Sequence, residues 1–383
     1  MSKATKHRHL LLIGGGHSHL FVLEHLARHP VAGVDVTLVS RELLAPYSGM
    51  IPGLIAGHYS FEDAHINLSK LCARAGVQCA HDEVIALDTD QQTAHCRSGK
   101  NIHYDVLSIN IGSAPDLATI THHNDTGIVV KPIPHLLDRW RQLAESLAHA
   151  QRQRHITVVG GGAASIEVAL AMHYQLQQQP DNIARRIQWT LITGSPQILP
   201  TYPRRVQRLA RDVLEDRRFT LLAGHTVSGV NAAADGFVLE LEGAASRRAD
   251  AVIWAIQAGA QDWLRDSGLA CTGQGFVRVN PQLQSVSHAN IFAAGDIAHF
   301  EARPLPKSGV FAVREGIPLA HNLVRALNQQ PLQPFKPQKH CLNLLSLGDQ
   351  RAIASWGPLS ASGRWVWRWK NHIDRRFMRR FQL

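Results

Sequence analysis

Short apolar runs that end in glycine turns, each followed by an amphipathic segment, organise the N-terminal part of the chain. Residues 10–13 are apolar and lead into the glycine triplet 14–16, and residues 20–29 then show a helical period. This order predicts a buried strand, a tight turn and a helix. A second strand is predicted at residues 34–39, and the proline- and glycine-rich residues 41–58 predict a shaped loop that covers a ligand.

The same plan recurs in the middle of the chain. A second apolar run leads into a second glycine triplet, residues 160–162, and a second predicted helix. Asp105 lies 91 positions after Gly14, and Asp250 lies 90 positions after Gly160, each at the entry to a buried strand. This shared register predicts an internal duplication of a dinucleotide-binding unit. In such a unit the glycines allow a sharp turn and a close pyrophosphate, which the first amides of the helix face.

A third anchor lies at residues 290–297, where a short apolar strand ends in Gly295 and Asp296 and a helix is predicted over 310–325. An acidic residue at a strand end, beside a helix N-terminus, is suited to the ribityl chain and phosphate of a flavin dinucleotide. Short alternating segments after each glycine unit predict small antiparallel meanders.

Composition and charge narrow the class of protein. The 383 residues are 45% hydrophobic and 18% charged, which indicates a globular chain of two or three domains. The net charge is +10, of which residues 364–383 carry +6, so a nucleic-acid-binding face over the body is not expected. No apolar run reaches the roughly eighteen residues of a membrane span, and no signal peptide is evident, so we expect a cytoplasmic protein.

The cysteines and histidines predict neither a disulfide framework nor a metal site. The five cysteines are scattered and form no Cys-x-x-Cys, which indicates a reducing compartment. His17 and His19 diverge on a helix and no further ligand lies nearby, so we expect no metal. A dithiol role for Cys72 and Cys79, and a redox role for Cys341, stay open.

The basic tail has apolar residues at every fourth position, which predicts one stripe along a helix, with arginines opposite. This pattern is typical of a helix that lies in an anionic membrane interface, and a helix packed on the body is the alternative. The stripe consists of Trp365, Trp369, Ile373, Phe377 and Phe381.

The two glycine turns and the Ala-Gly-Asp that ends at residue 296 together resemble the two-dinucleotide-domain FAD/NAD(P) oxidoreductases, the pyridine nucleotide-disulfide oxidoreductase superfamily, over residues 9 to about 325. Gly-Gly-Gly-His-Ser-His-Leu, the loop from Pro46 and the tail Gly-Arg-Trp-Val-Trp-Arg-Trp-Lys look closest to type II NADH dehydrogenase-like proteins and to the flavin domain found fused to selenide, water dikinase. No kinase domain follows in this sequence, so the resemblance is to a stand-alone member.

The resemblance implies an α/β fold with two Rossmann-like dinucleotide-binding domains of the glutathione reductase type, small meanders and a short C-terminal unit. It implies an FAD-binding domain at residues 1–118 and 271–330, an NAD(P)H-binding domain at 119–270, and a C-terminal unit with a basic amphipathic helix at 331–383.

The resemblance also implies the residues of each cofactor site. The FAD site would comprise Gly14, Gly16, His17, Ser40, Arg41, Pro46, Tyr47, Ser48, Gly49, Val84, Gly112, Gly295, Asp296, Lys307 and Val310. The NADH or NADPH site would comprise Gly160, Gly162, Ser165, Glu167, Thr193 and Ala255.

The sequence departs from the family pattern in four respects. His19 stands in place of the third glycine, so we expect the first helix to sit farther from the sheet. Ser40 replaces the acidic ribose anchor, and Gln257 replaces the glycine that ends the closing strand of the second unit. Val310 and Arg314 occupy the places of two glutamines beside the quinone in type II NADH dehydrogenases.

The function implied is that of an FAD-dependent NAD(P)H oxidoreductase, which passes a hydride to flavin N5 and then electrons to a quinone-type acceptor. A flavin-dependent reductase or oxidase of a sulfur, thiol or selenium species is one alternative, and a flavin-bound scaffold or regulator is another. Thr193, Gly194 and Ser195 carry neither an acid nor an arginine, so NADH and NADPH both stay open. A homodimer and peripheral contact with the inner face of the cytoplasmic membrane, through residues 364–383, also stay open.

Overall fold

The computed structural model describes residues 7–115, 120, 127–179, 183–256 and 258–382. Besides two 3₁₀ turns, Ile183–Arg186 and Gly295–Ile297, the α-helices of the described residues are α1 His17–Arg28, α2 Ile51–Ile55, α3 Phe61–Ala64, α4 Leu68–Ala75, α5 Ile133–Ala148, α6 Ala163–Gln177, α7 Arg204–Asp216, α8 Trp263–Asp266, α9 Gly309–Leu327 and α10 Arg364–Phe381.

The strands in the described part of the chain form two five-stranded sheets and several small ones. They are β1 Arg8–Ile13, β2 Val34–Ser40, β3 Leu44–Pro46, β4 His65–Asn67, β5 Gln78–His81, β6 Val84–Asp88, β7 Thr93–Cys96, β8 Asn101–His103, β9 Val106–Ile109, β10 Ala114–Pro115, β11 Ile128–Val129, β12 Arg154–Val159, β13 Ile187–Thr193, β14 Phe219–Ala223, β15 Val227–Ala233, β16 Gly236–Leu241, β17 Ala244–Ala249, β18 Ala251–Trp254, β19 Ala258–Gly259, β20 Val277–Val279, β21 Ile291–Ala293, β22 Ala298–Phe300, β23 Leu342–Ser346, β24 Ala352–Trp356 and β25 Leu359–Gly363.

The first large sheet has the order β21-β9-β1-β2-β5, and its strands are parallel. Its central strand β1 is apolar at consecutive positions because both faces of a parallel sheet are covered by helices. Leu10, Leu11 and Leu12 are fully buried. The predicted α/β fold of the first unit is confirmed.

The second large sheet, β11-β18-β12-β13-β14, is also parallel and repeats the design of the first. In the first unit the Asp105 carboxylate accepts a hydrogen bond from the amide of His9 at 2.7 Å, and in the second Asp250 accepts one from the amide of His155 at the same distance. Each aspartate therefore joins its closing strand to the start of the central strand. This shared contact explains the register that the sequence repeats.

Small antiparallel sheets complete the fold. The meanders β6-β7-β8 and β15-β16-β17 lie between the last two strands of their units, as the alternating patterns predict. A third sheet, β23-β24-β25, leads into α10, which packs against it.

Two predicted boundaries differ from those in the structure. The first helix begins at His17, three residues earlier than its apolar periodicity suggests. Residues 65–75, whose sequence pattern predicts one helix, form strand β4 and then α4. The reason is Asn67, whose side chain accepts a hydrogen bond from the amide of Lys70 at 3.0 Å and so caps α4 at its start.

The tail forms the predicted helix, and its apolar stripe is divided: the end of the stripe packs on the body, which is one of the two alternatives, whereas the first part is exposed. Phe381 is only 1% exposed and belongs to the core of the first unit, whereas Trp365, Trp369 and Ile373 are 57%, 42% and 36% exposed. These residues are four positions apart, whereas the helix has about 3.6 residues per turn, so the stripe drifts round the helix and its last members turn toward the body. Within the described chain, every helix is too short or too polar to cross a bilayer.

Candidate functional site

A cavity of about 280 Å³ lies at the C-terminal edge of the first sheet. It extends from the end of β2, past the glycine turn after β1, to the start of α9. Eleven of the residues predicted for the FAD site line it: Gly14, Gly16, His17, Ser40, Arg41, Pro46, Ser48, Val84, Gly112, Gly295 and Asp296. Ligands of open α/β sheets bind at this edge of the sheet.

The glycine turn is shaped by Asn110, which follows β9 and is 2% exposed. Gly14 has φ +91°, and a Cβ there would lie 2.6 Å from the Asn110 carbonyl oxygen. A Cβ on Gly16 would lie 2.3 Å from the Asn110 side-chain oxygen. Close packing within the protein therefore already requires both glycines, in addition to any approach of a ligand.

Asn110 also joins three segments of the site. Its Oδ1 accepts hydrogen bonds from the amides of Ser18 and His19 at 3.0 and 3.3 Å, and its Nδ2 donates to the carbonyl of Ala294 at 2.6 Å. Two of the helix amides expected to face phosphate are thus bound by the protein itself. The Asn110 side chain fixes α1 relative to the turn that carries Asp296.

His19, in place of the third glycine, is fully buried between α1 and the sheet. Its Nδ1 donates to the carbonyl of Gly14 at 2.6 Å, so its Nε2 accepts from the hydroxyl of Ser108 at 2.8 Å. Burial lowers the pKa of His19 to about 4, and it lowers that of His17 likewise to about 4. Both imidazoles are therefore neutral near pH 7.

Asp296 is paired with a lysine that the sequence analysis missed. Lys131 Nζ donates to Asp296 Oδ2 at 2.6 Å and to the hydroxyl of Ser113 at 3.0 Å, and Ser113 donates to the same carboxylate at 3.3 Å. All three side chains line the cavity. The strand-end position of Asp296 was readable from the sequence, whereas Lys131 lies 165 residues away and carries no local signal.

The turn of Asp296 is held by a buried carboxyl group. Glu315 of α9 accepts a hydrogen bond from the amide of Gly295 at 2.6 Å, and it is 4% exposed. Burial raises its pKa to about 7, against the opposing effects of that hydrogen bond and of Lys307. Glu315 therefore links the position of α9 to that of Asp296.

The end of β2 carries acids close to, but not at, the position of Ser40. The Ser40 hydroxyl donates to the carbonyl of Glu42 at 2.7 Å, and both Glu42 and Glu83 line the cavity. Arg41 lies 3.8 Å from each of these carboxylates. Two acidic residues therefore line the cavity close to Ser40, one of them from the loop before β6.

Four predicted residues lie off the cavity. Tyr47 and Gly49 contact α10 instead. The Lys307 ammonium donates to the carbonyl of Ala298 and lies 4.0 Å from the centre of the Phe276 ring, and its pKa is lowered to about 8 by burial. Val310 is also absent from the lining described for the cavity.

The glycine turn of the second unit brings together five of its six predicted residues. Gly160 has φ +129°, and a Cβ there would lie 2.2 Å from the carbonyl oxygen of Ala255. Ser165 donates to that same oxygen at 3.1 Å. A Cβ on Gly161 would lie 2.5 Å from Thr193 Oγ1, which places the end of β13 beside the turn. Gly162, which caps α6, has open space around its Cβ position.

Glu167, the sixth predicted residue, turns away from this group. Its carboxylate accepts a hydrogen bond from the amide of Ser346 in β23 at 2.8 Å. Burial raises its pKa to about 7, although Lys370 of α10 opposes that shift. Glu167 thus joins α6 to the C-terminal elements. Gln257 lies outside the described residues.

Comparison with known proteins identifies the family to which this pair of glycine turns belongs. The family model described as pyridine nucleotide-disulphide oxidoreductase matches residues 8–325. The chain belongs to this family. The two glycine turns and the Asp296 turn all lie within the match, so the family covers both large sheets.

Relatives of this oxidoreductase span most of its length. The sulfide-quinone reductase of Aquifex aeolicus is 23% identical over 403 residues, covering 97% of this chain and 90% of that protein. An alternative NAD(P)H-ubiquinone oxidoreductase of Arabidopsis thaliana is 26% identical, covering 92% and 73%. The structure of NDH2 from Plasmodium falciparum in complex with NADH has a TM-score of 0.79 at 14% identity and covers 97% of each chain.

The protein is therefore an FAD-dependent oxidoreductase of the pyridine nucleotide-disulphide oxidoreductase family. The residues present fit an extended dinucleotide, because one continuous cavity joins the acids after β2, the glycine turn, Asp296 and the N-terminus of α9. The positive end of that helix suits a group that gains negative charge on reduction.

The cysteines lie away from the cavity of this oxidoreductase. None of the five is among the residues described as lining it. Burial and the neighbouring Cys79 raise the pKa of the Cys72 thiol, and burial also raises the pKa of Cys341. A raised pKa disfavours the nucleophilic thiolate. Within the described part of the chain, no His, Cys, Asp and Glu group is arranged to hold a metal ion.

Proposed function

We propose that the protein is an NAD(P)H:quinone oxidoreductase, with FAD in the cavity of the first unit and NAD(P)H at the glycine turn of the second. When bound, FAD accepts a hydride from NAD(P)H and delivers two electrons to the acceptor. The overall reaction is NAD(P)H + H⁺ + quinone → NAD⁺ or NADP⁺ + quinol. The observation that carries the proposal is the continuous cavity across the first glycine turn and Asp296, beside a second, separate glycine turn.

The chain's own residues have distinct roles in this proposal. The Lys131–Asp296 pair holds a carboxylate and a cation at the cavity wall, where they orient the hydroxyl and phosphate groups of a dinucleotide. Gly162 leaves open space at the start of α6, where nicotinamide dinucleotide phosphates would meet the helix N-terminus.

Glu167 is suited to hold the proton that quinol formation consumes. With a pKa near 7, its carboxyl group binds and releases a proton in the working range. The charges of Lys370 and Asp374 act on Glu167. These two residues form a buried ion pair at 2.6 Å, and Lys370 also donates to the carbonyl of Gly49, beside the cavity. We propose that Glu167 supplies a proton to the acceptor rather than binding NAD(P)H.

A quinone acceptor is supported by the relatives that are named for it and by an exposed apolar patch. Trp356, Leu359, Trp365, Trp369 and Ile373 are exposed on β24, β25 and the first half of α10. The rings of Trp365 and Trp369 stack at 6.5 Å, and arginines flank them. Aromatic and basic side chains favour a membrane interface, where a lipid quinone resides. We therefore propose peripheral attachment through this patch.

The test is anaerobic stopped-flow kinetics of the flavin absorbance band, with NADH, NADPH or sulfide as donor and a water-soluble quinone added second. We expect one of the nicotinamides to bleach the band and the quinone to restore it. Bleaching by sulfide alone would assign the protein to sulfide oxidation. Bleaching by a nicotinamide without recovery on quinone addition would contradict the proposed acceptor.

A further inference from the structure

One strip of chain separates the cavity from the C-terminal helix. This strip, residues 46–49, starts at the last residue of β3. Pro46 and Ser48 line the cavity, whereas Tyr47 and Gly49 face α10. The same four residues therefore form part of the cavity wall and part of the surface that α10 contacts. A change in their backbone conformation alters both. A ligand in the cavity and the docked helix α10 therefore both constrain the conformation of the strip.

The contacts on the α10 side are polar, buried and few. Lys370 Nζ donates to the carbonyl of Gly49 at 2.5 Å and pairs with Asp374 at 2.6 Å, and Tyr47 donates to Asp374 at 3.2 Å. The Lys370 and Asp374 side chains are only 7% and 6% exposed. Such a pair is stable only where every partner is in place, because each charge has lost its water.

Aromatic packing extends these contacts to the glycine turn. The Phe377 ring stacks on Tyr47 with centroids 4.4 Å apart and planes 20° apart. His17, the first residue of α1 and a lining residue of the cavity, packs edge-on against Tyr47 at 5.4 Å and tilted against Phe377 at 6.0 Å. Phe377 thus buttresses both the strip and the helix start.

The last turn of α10 is fastened to α1 itself. Arg380 forms two short contacts with Glu24, at 2.6 and 2.8 Å, and Phe381 packs edge-on against Phe21 at 5.1 Å. Since α1 begins at the glycine turn, α10 bridges the two walls of the cavity, the covering strip and the dinucleotide helix.

We infer that α10 stabilises the FAD site without lining it: the inner face of α10 holds the strip and α1 in the geometry that retains FAD. This rests on the placement of FAD in the cavity that the proposed function makes. Coupling of this kind is reciprocal in binding free energy, so docked α10 strengthens FAD binding by the same factor by which bound FAD strengthens the docking of α10. We expect the stronger FAD binding to appear mainly as slower FAD release. Phe377, Asp374 and Arg380 are positioning residues in this arrangement.

The test is the rate at which FAD leaves the purified holoenzyme on dilution, followed by the rise in free flavin fluorescence. We expect Phe377→Ala to release FAD about tenfold faster than the wild type, a coupling of ordinary size. Trp369→Ala, on the exposed face of the same helix, is the matched control and should stay within about twofold. An unchanged rate in Phe377→Ala would overturn the inference.

A milder variant and the reciprocal measurement guard against general unfolding. Arg380→Gln removes the ion pair to Glu24 and the contacts of the guanidinium with the Phe21 and Phe381 rings. It should accelerate FAD release while its circular dichroism matches that of the wild type. Trypsin should cleave the arginine-rich end of α10 more slowly when FAD is saturating; equal rates with and without FAD would contradict the coupling. A wild-type chain that never retains FAD contradicts the proposed function, whereas a wild type whose FAD is indifferent to α10 contradicts only this inference.

Discussion

Asn110 holds together parts of the chain that are far apart in sequence. Its side chain serves the amides of α1 and the carbonyl of Ala294, and its own carbonyl accepts from Gly16 at 3.1 Å. Nothing in the sequence around Asn110 announces this role, because an asparagine after a buried strand is common in loops. Its importance comes from the crossing of three segments.

Replacement of Asn110 by alanine should therefore cost stability and cofactor together. The variant leaves several buried donors and acceptors without a partner, which we expect to lower the free energy of unfolding by about 3 kcal/mol. FAD retention should fall with it. Chemical denaturation and the flavin content of the purified protein check this, with the exposed Asn101→Ala as control. Full flavin content in Asn110→Ala would contradict the role assigned to it.

The two buried imidazoles predict an acid-sensitive fold. His17 and His19 have pKa values of about 4 in the folded chain, against 6.5 when unfolded. The unfolded state therefore binds more protons between these values, so stability is full above about pH 6.5 and falls as the pH drops toward 4. Each pKa unit corresponds to roughly 1.4 kcal/mol.

His19→Gln isolates one of these contributions. Glutamine can donate to the carbonyl of Gly14 and accept from Ser108 without titrating. We expect the variant to lose less stability than the wild type between pH 7 and pH 4, by roughly 3 kcal/mol at the acid end. Urea denaturation across this pH range measures the free energy of unfolding of both proteins. The contributions of the other titrating groups are common to both and cancel in the difference. Parallel loss in both proteins would show that His19 is not kept neutral.

Elements were largely predictable where one segment carries its own pattern. Both strand–glycine–helix units, the closing strands and the tail helix follow from periodicity and glycine spacing. What escaped prediction depends on neighbours distant in sequence. Glu167 follows the second glycine turn closely enough to suggest nicotinamide binding, yet the backbone of β23, 179 residues away, captures its carboxylate.

The proposed role of Glu167 as a proton donor to the acceptor is testable with one substitution. Glu167→Gln removes the titrating proton but keeps a polar side chain for the amide of Ser346. We expect reduction of the flavin by NAD(P)H to stay within about twofold and reoxidation by quinone to slow about tenfold, with loss of the inflection near pH 7. Glu215→Gln, on the exposed side of α7, is the control for stopped-flow rates. Equal slowing of both half-reactions would return Glu167 to a structural role.

For the molecule as a whole, α10 has two faces with different tasks. The inner face contacts the cavity wall, and the outer face carries the exposed tryptophans. The sequence predicted one stripe because a step of four residues nearly matches the helical turn, and only the contact with α1 and the strip reveals where that stripe divides. Removing the whole tail would therefore disturb the cavity as well as any membrane contact.

Membrane attachment is better tested by point changes on the outer face. Trp365→Ser with Trp369→Ser should lower sedimentation with anionic vesicles about tenfold, roughly 1.4 kcal/mol of binding free energy, while FAD content stays unchanged. Val286→Ser, an exposed apolar residue elsewhere, should have no effect. Vesicle binding that survives loss of both tryptophans would exclude this patch as the attachment site.

The division of labour between the two glycine turns is tested most directly by anaerobic titration of the purified protein with NADH or NADPH, for the wild type and for Gly162→Val. The valine fits the fold because the Cβ position of Gly162 is open. The control is Gly273→Val, since Gly273 also has open space at its Cβ position and lies outside both glycine turns. We expect all three proteins to carry FAD, and the flavin band to bleach with one equivalent of nucleotide in the wild type and in Gly273→Val but not in Gly162→Val. A wild type whose flavin neither nucleotide reduces, or a Gly162→Val variant that is reduced as readily as the wild type, would contradict the account.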